Sequence, residues 1–252
     1  MAKMTLLEIV QDILSDMDSD NVNSISDTVE AQQVAQIIKT TYREIIDSRE
    51  WPHLKKIVQI DSVSSGSYPT HMILDEDIRY VNWIKYDKAL ATDTRKKYID
   101  IQYLEPKDFL DEIMGRNEDN SNVDSITDYG GTYLLIVNDE HPTYWTSFDD
   151  EHIVFDSYNS DVDSTITTAK NQAEVYQETS WTHTDGAYPN LPEKAFSYLL
   201  SESKSVCFEK LKQVANAKEE QRSRRQRTYL AREKWRTNGG IKYPNYGRTG
   251  KK

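Results

Sequence analysis

Residues 191–236 read LPEKAFSYLLSESKSVCFEKLKQVANAKEEQRSRRQRTYLAREKWR. Beyond Pro192 no proline or glycine interrupts it, so it predicts one long helix from Leu191 to Arg236, roughly 65–70 Å at 1.5 Å per residue. Its two halves are chemically unlike. Phe196, Leu199, Leu200, Val206, Cys207, Leu211 and Val214 recur at spacings of three, four and seven, which is the pattern of a buried stripe. From Gln221 on, no such stripe continues. A helix that outlasts its core is expected to meet something else.

Charge divides at the same place. Residues 221–252 hold eleven Lys or Arg and one acid, Glu233, a net of +10; residues 1–220 hold twenty bases and forty-one acids, a net of −21. A basic tail on an acidic body points to an acidic partner, a second copy of the chain included. The other bounds are broad. The 252 residues are 29% charged and 37% hydrophobic, with sixteen Tyr and five Trp, which predicts a polar, aromatic-rich globular chain with a modest core. No apolar run approaches the ~20 residues of a membrane span. The start, MAKMTLLEIVQDIL, has helically spaced apolar residues and no small-residue cleavage site, so no secretory signal is expected. The single Cys207 excludes an internal disulfide and a cysteine-rich zinc site.

Working outward, the N-terminal region predicts a helical hairpin. Thr5 and Glu8 have capping-box spacing, and Leu6, Ile9, Val10, Ile13 and Met17 share a face. A second helix is expected from Thr28 to Arg49, with Asp27 as its N-cap and Val34, Ile37, Ile38, Thr41, Tyr42, Ile45 and Ile46 as its stripe. Trp51-Pro52 ends it. Its exposed stripe needs a third helix, and the front of the long C-terminal helix is the expected partner.

The middle has another texture. Lys55–Val63, Arg79–Tyr86 and Tyr98–Leu104 read as strands. Glu105-Pro106 opens a short helix with Phe109, Leu110, Ile113 and Met114 inward. Residues 117–131 read as a polar loop. Tyr133–Val137, Thr143–Ser147, His152–Asp156 and Ser164–Thr168 read as further short strands, and 170–190 gives no clear signal. Gly239-Gly240, Pro244, Gly247 and Gly250 keep the end of the chain extended. The expected fold class is therefore α+β: a helical bundle from the N-terminal hairpin and the long C-terminal helix, with an inserted, mostly antiparallel β region. The expected domains are 1–53 with 191–220, the β-rich insert 54–190, and a basic helix extension with an extended arm over 221–252.

Motifs of enzyme chemistry are missing. No GxxxxGK, GxGxxG, HExxH or Gly-x-Ser-x-Gly occurs. Asp16, Asp18, Asp20 and Asn21 match the start of a calcium loop, but Asn23 stands where a hydrophobic residue is wanted and Asp27 where Glu is. A solvated turn with capping acids is the better reading. Asp149, Asp150 and Glu151 offer paired carboxylates, yet their aromatic, alternating flanks suit a β-hairpin turned at Asp149-Asp150. The sequence thus calls for no catalytic residue, cofactor or metal. The arginine run also fits nucleic acid, with Lys and Arg on phosphates and Tyr229 and Trp235 stacking on bases. The −21 on the rest of the chain opposes a polyanion, so docking on an acidic protein ranks first.

A helix ending in REWPHLKK (49–56), a strand-rich region carrying Pro142, Tyr144, Phe148, Asp149, Asp150, Ile153, Phe155 and Asp156, a long helix, and a basic tail with Pro244, Gly247 and Arg248 follow in that order. This layout resembles the head-to-tail adaptor proteins of tailed bacteriophages, the tail tubular or head-completion connector family of short-tailed phages, over nearly the whole chain. The resemblance implies a structural virion protein at the head–tail junction, assembled in the host cytoplasm. It implies a ring of copies, usually twelve, below the portal protein, with the β-rich part facing tail nozzle or tail fibre proteins. Genomic DNA would pass through the lumen without specific binding, and no membrane is involved. The C-terminal segment would dock on the portal. Its expected contact residues here are Arg222, Arg224, Arg225, Arg227, Tyr229, Arg232, Trp235, Arg236, Ile241, Tyr243, Pro244, Tyr246 and Arg248.

Overall fold

A computed structural model of the chain describes residues 3–90 and 92–232. The chain divides into two compact units, Met1–Pro52 with Trp181–Lys252, and His53–Ser180.

In the first unit, α1 (Leu6–Asp16) begins with a reciprocal capping box: the Glu8 amide donates to Thr5 Oγ1 at 3.2 Å and the Thr5 amide to Glu8 Oε2 at 2.7 Å. Two of the orphan amides of the first turn are thereby satisfied. The second helix, α2 (Val29–Asp47), is capped by Thr28, whose Oγ1 accepts from the Ala31 amide. Asp27, expected in that role, instead accepts the amides of Asn23 and Ser24 at 2.7 and 2.8 Å. The stripe Val34, Ile38, Tyr42 and Ile45 is buried, each such side chain stabilising the fold by about 1.5–3 kcal/mol. The segment before the C-terminal helices is tied down by Leu6 and Leu7 amides on the Ala187 and Asp185 carbonyls and by the Ile25 amide on Asp185 Oδ1.

The expected single C-terminal helix is two. The first, α4 (Glu193–Lys212), buries Phe196, Leu199, Leu200 and Cys207; the second is α5 (Ala217–Arg232). Gln213 adopts the left-handed conformation (φ 54°, ψ 29°), and the amides of Gln213 and Val214 both reach the Phe208 carbonyl. Both amides thus close on a single carbonyl five and six residues back, with glutamine in the left-handed position where glycine is usual, at a cost of about 1–2 kcal/mol. Asn216 then starts α5: its Oδ1 accepts from the Glu219 amide at 3.2 Å. Ser223 Oγ bonds Glu202, and Arg227 lies near Tyr198. Residue numbers that rise on one helix as they fall on the other define an antiparallel hairpin.

In the second unit, eight strands form one sheet: β1 (Lys55–Val58), β2 (Asp61–Ser62), β3 (His71–Ile73), β4 (Ile78–Asp87), β5 (Tyr98–Tyr103), β8 (Tyr144–Thr146), β9 (His152–Phe155) and β10 (Asn171–Gln177). Their order is β1-β10-β4-β5-β8-β9-β3-β2. All neighbours are antiparallel except β5 and β8, which are parallel. A separate ribbon pairs β6 (Val123–Thr127) with β7 (Tyr133–Val137). The remaining helix, α3 (Pro106–Met114), buries Phe109 and Ile113 but leaves Met114 exposed. Ile84, Ile101, Leu134, Ile136, Phe155 and Val175 lie at the core's centre.

The fold class expected from the sequence is therefore corrected. The protein is a mixed α/β chain dominated by a large curled sheet, with five helices among the described residues, and not a helical bundle carrying a small β insert. Two misreadings have physical causes. The inner strand β10 lies in the segment that gave no signal: its buried Asn171, Ala173 and Val175 are small or polar, and its partners are Lys55–Val58 and Ile78–Tyr86, distant in sequence. The strand β6 lies in the supposed loop 117–131. The expected strand at Ser164–Thr168 does not form; Ile166 is buried there in irregular chain.

Candidate functional site

The chemistry of α5 follows from how it is held. Its inward line is Glu219, Ser223, Gln226 and Leu230 at spacings of four, three and four; Ser223 and Leu230 are buried and the other two half-buried. Only one of the four is a large apolar residue. The Arg49 guanidinium adds a hydrogen bond to the Leu230 carbonyl. The outward face carries Arg222, Arg224, Arg225, Arg227 and Tyr229, all exposed. Arg222 sits 3.6 Å from Glu219 and Arg224 pairs with Glu220. Arg225 and Arg227 have no ion-pair partner among the described residues. Gln221, Arg224, Arg225, Thr228 and Tyr229 line an open depression of about 390 Å³. Tyr229 is one turn beyond Arg225 and so shares its face.

Five of the thirteen expected contact residues are thus brought onto one outward helical surface. Arg232 closes α5. Trp235, Arg236, Ile241, Tyr243, Pro244, Tyr246 and Arg248 lie outside the described residues.

The acidic stretches have local employment. Asp16 Oδ2 and Asp12 Oδ2 take the Lys204 ammonium at 2.5 and 2.7 Å, and Asp27 is bound to backbone amides. Burial alone would depress the Lys204 pKa, but the two carboxylates outweigh it and raise it. Asp149 and Asp150 lie in the β8–β9 turn, where Asp150 has φ 64° and Asp149 Oδ1 accepts the amides of Glu151 and His152. Asp149, Glu151 and His152 form the one group among the described residues whose donor atoms have metal-ligand spacing. Its histidine nitrogen Nδ1 is already 2.6 Å from Asp149 Oδ2. Burial drives the Cys207 thiol up to about 12, so it is a packing group and not a nucleophile.

One constellation was not anticipated from the sequence. His71 Nε2 lies 2.8 Å from Asp128 Oδ1, and both side chains are essentially inaccessible. Thr70 Oγ1 approaches His71 Nδ1 at 3.4 Å. The line resembles a hydrolase triad in composition, but burial of all three residues leaves no approach for a substrate. Desolvation lowers the His71 pKa against the opposing pull of Asp128. Beside it, Tyr129 stacks between Tyr68 (4.1 Å) and His152 (4.2 Å). The Asp128–Gly131 turn of the β6–β7 ribbon is thereby fastened to β3. Nothing local in the sequence marks this pairing, since the two residues are 57 positions apart.

No protein-family model matches the chain. No curated protein matches it either.

Proposed function

We propose that the chain is a structural assembly protein, a head-to-tail adaptor that forms a ring of copies between a portal protein and the tail nozzle or fibre proteins of a short-tailed phage virion. The observation that carries this reading is the outward face of α5. Arg225 and Arg227, which have no ion-pair partner among the described residues, stand on a helix already fixed along its other edge, in a chain otherwise carrying −21. Such a face complements an acidic protein surface, where arginine forks bind carboxylates bidentately. The phage layout of the sequence turns that acidic partner into the portal. In this role the protein works by docking and requires no catalytic centre.

The test mixes the purified chain with portal oligomers and measures the mass of the complex. The chain alone stays small and forms a ring on the portal. Arg225→Glu with Arg227→Glu, or removal of residues 239–252, abolishes docking and leaves the far-UV spectrum intact. No association at low salt overturns the reading.

A second reading is favoured by Tyr229, 58% exposed beside Arg225: stacking on the bases of a nucleic acid whose phosphates meet the arginines. It requires DNA binding that weakens with a log–log slope of about −0.9 per phosphate contact as salt rises.

A further inference from the structure

The turn between α4 and α5 contains Gln213, Val214, Ala215 and Asn216, with no glycine or proline. Gln213 is left-handed there, and Val214 is left 59% exposed. Every residue of the turn is compatible with a helix, and straightening it makes one continuous helix from Glu193 to Arg232, about 60 Å long. The α4–α5 seam is mainly polar, with Ser223 on Glu202 as its central bond and Leu230 as its large apolar member. All of those contacts are equally available from another copy's α5.

We propose that α5 is exchanged between copies of this chain, each copy's α5 packing on its neighbour's α4. Two straightened helices then lie antiparallel across a two-fold axis through residues 213–216. The exchange re-forms the Ser223–Glu202 bond between copies. It releases the left-handed Gln213 and covers the exposed Val214 with its counterpart from the other copy. It loses the Asn216 cap. Strained short hinges are the usual route to such swaps. A closed hairpin supplies its own α5 at an effective concentration of about 1 mM, so exchange dominates only at comparable concentrations of the chain. The proposal needs no portal and does not depend on what the arginine face binds.

The test follows the mass of the isolated chain over a concentration series up to about 1 mM. Wild type passes from monomer to dimer. Gln213→Gly moves the midpoint up roughly tenfold, because the strain released by exchange has been removed. Deletion of 213–216 leaves no turn and gives dimers at all concentrations. Copies with Glu202→Cys are then mixed with copies with Ser223→Cys, both in a Cys207→Ala background, and the mixture forms disulfides between unlike copies. Monomers throughout, or dimers without those disulfides, overturn the proposal. Loss of portal docking with exchange intact overturns only the adaptor reading.

Discussion

Two helices lie side by side at the end of the described chain, and different physics holds each. Along α4, Phe196, Leu199, Leu200 and Cys207 are fully or almost fully buried. Each of the large ones contributes about 1.5–3 kcal/mol. Along α5 the buried line has one such residue, Leu230, and otherwise hydrogen bonds, each with a net contribution near 1 kcal/mol. The same stretch of sequence therefore supplies one helix that cannot leave its unit and one that can. Surface chemistry mirrors this: α4 turns its apolar side chains into the core, while α5 exposes Arg222, Arg224, Arg225 and Arg227, the first two paired with Glu219 and Glu220.

The sharpest way to break that contrast is to truncate one anchor on each helix. Phe196→Ala removes a side chain 1% exposed and is expected to lower unfolding stability by about 3–5 kcal/mol. Leu230→Ala is expected to lower it by about 2 kcal/mol, the low end for buried leucine, and to loosen α5 before the rest. Urea titration gives the first pair of values and amide exchange along 217–232 gives the second. Equal losses, or α5 amides that exchange no faster in Leu230→Ala, would show that the seam is as strong as the core.

How far the sequence reaches is clear from particular residues. The Thr5–Glu8 box and the stripes of α1, α2 and α4 are local patterns, and each is legible because its partners lie three or four residues away. The Asn216–Glu219 spacing is also local: an N-cap residue three before an acid announces a helix start, and attention to helix breakers alone hides it. The sheet is different. The interior strand β10 is defined by partners on β1 and β4, and the small buried Ala173 gives no aliphatic run to read. The arginines of α5 were legible as a charge run, but their presentation depends on α5 turning back along α4. The His71–Asp128 bond was not legible at all, because it is made only by the fold.

Unlike the bonds of α5, the His71–Asp128 contact is sealed from water. His71 has its pKa lowered from 6.5, chiefly by burial. A base with a lowered folded-state pKa contributes stability that is complete above the unfolded value. It is lost as pH falls through about 6.5 toward the folded pKa, because the unfolded chain takes up the proton first. Unfolding stability of the wild type is therefore expected to decline below pH 6.5, and His71→Gln should flatten that slope. The solvent-facing bonds of α5 should show no such dependence there. An unchanged slope in His71→Gln would assign the decline to other groups.

The smallest expected effect concerns the link between the two helices. Gln213→Gly relieves about 1–2 kcal/mol of left-handed strain, while glycine gives back about 0.5–1 kcal/mol through the freedom it adds to the unfolded chain. The balance is a gain of roughly 0.5–1 kcal/mol in the folded hairpin. The gain arises only where φ is positive, so the substitution reports on the turn and on nothing else. At a residue inside a continuous helix, the same change costs about 1 kcal/mol. The sign alone thus separates a hairpin in solution from the single long rod that the local sequence favours. Chemical denaturation of the monomer at low concentration reads it directly, and a destabilised Gln213→Gly would mean that the two helices run on as one.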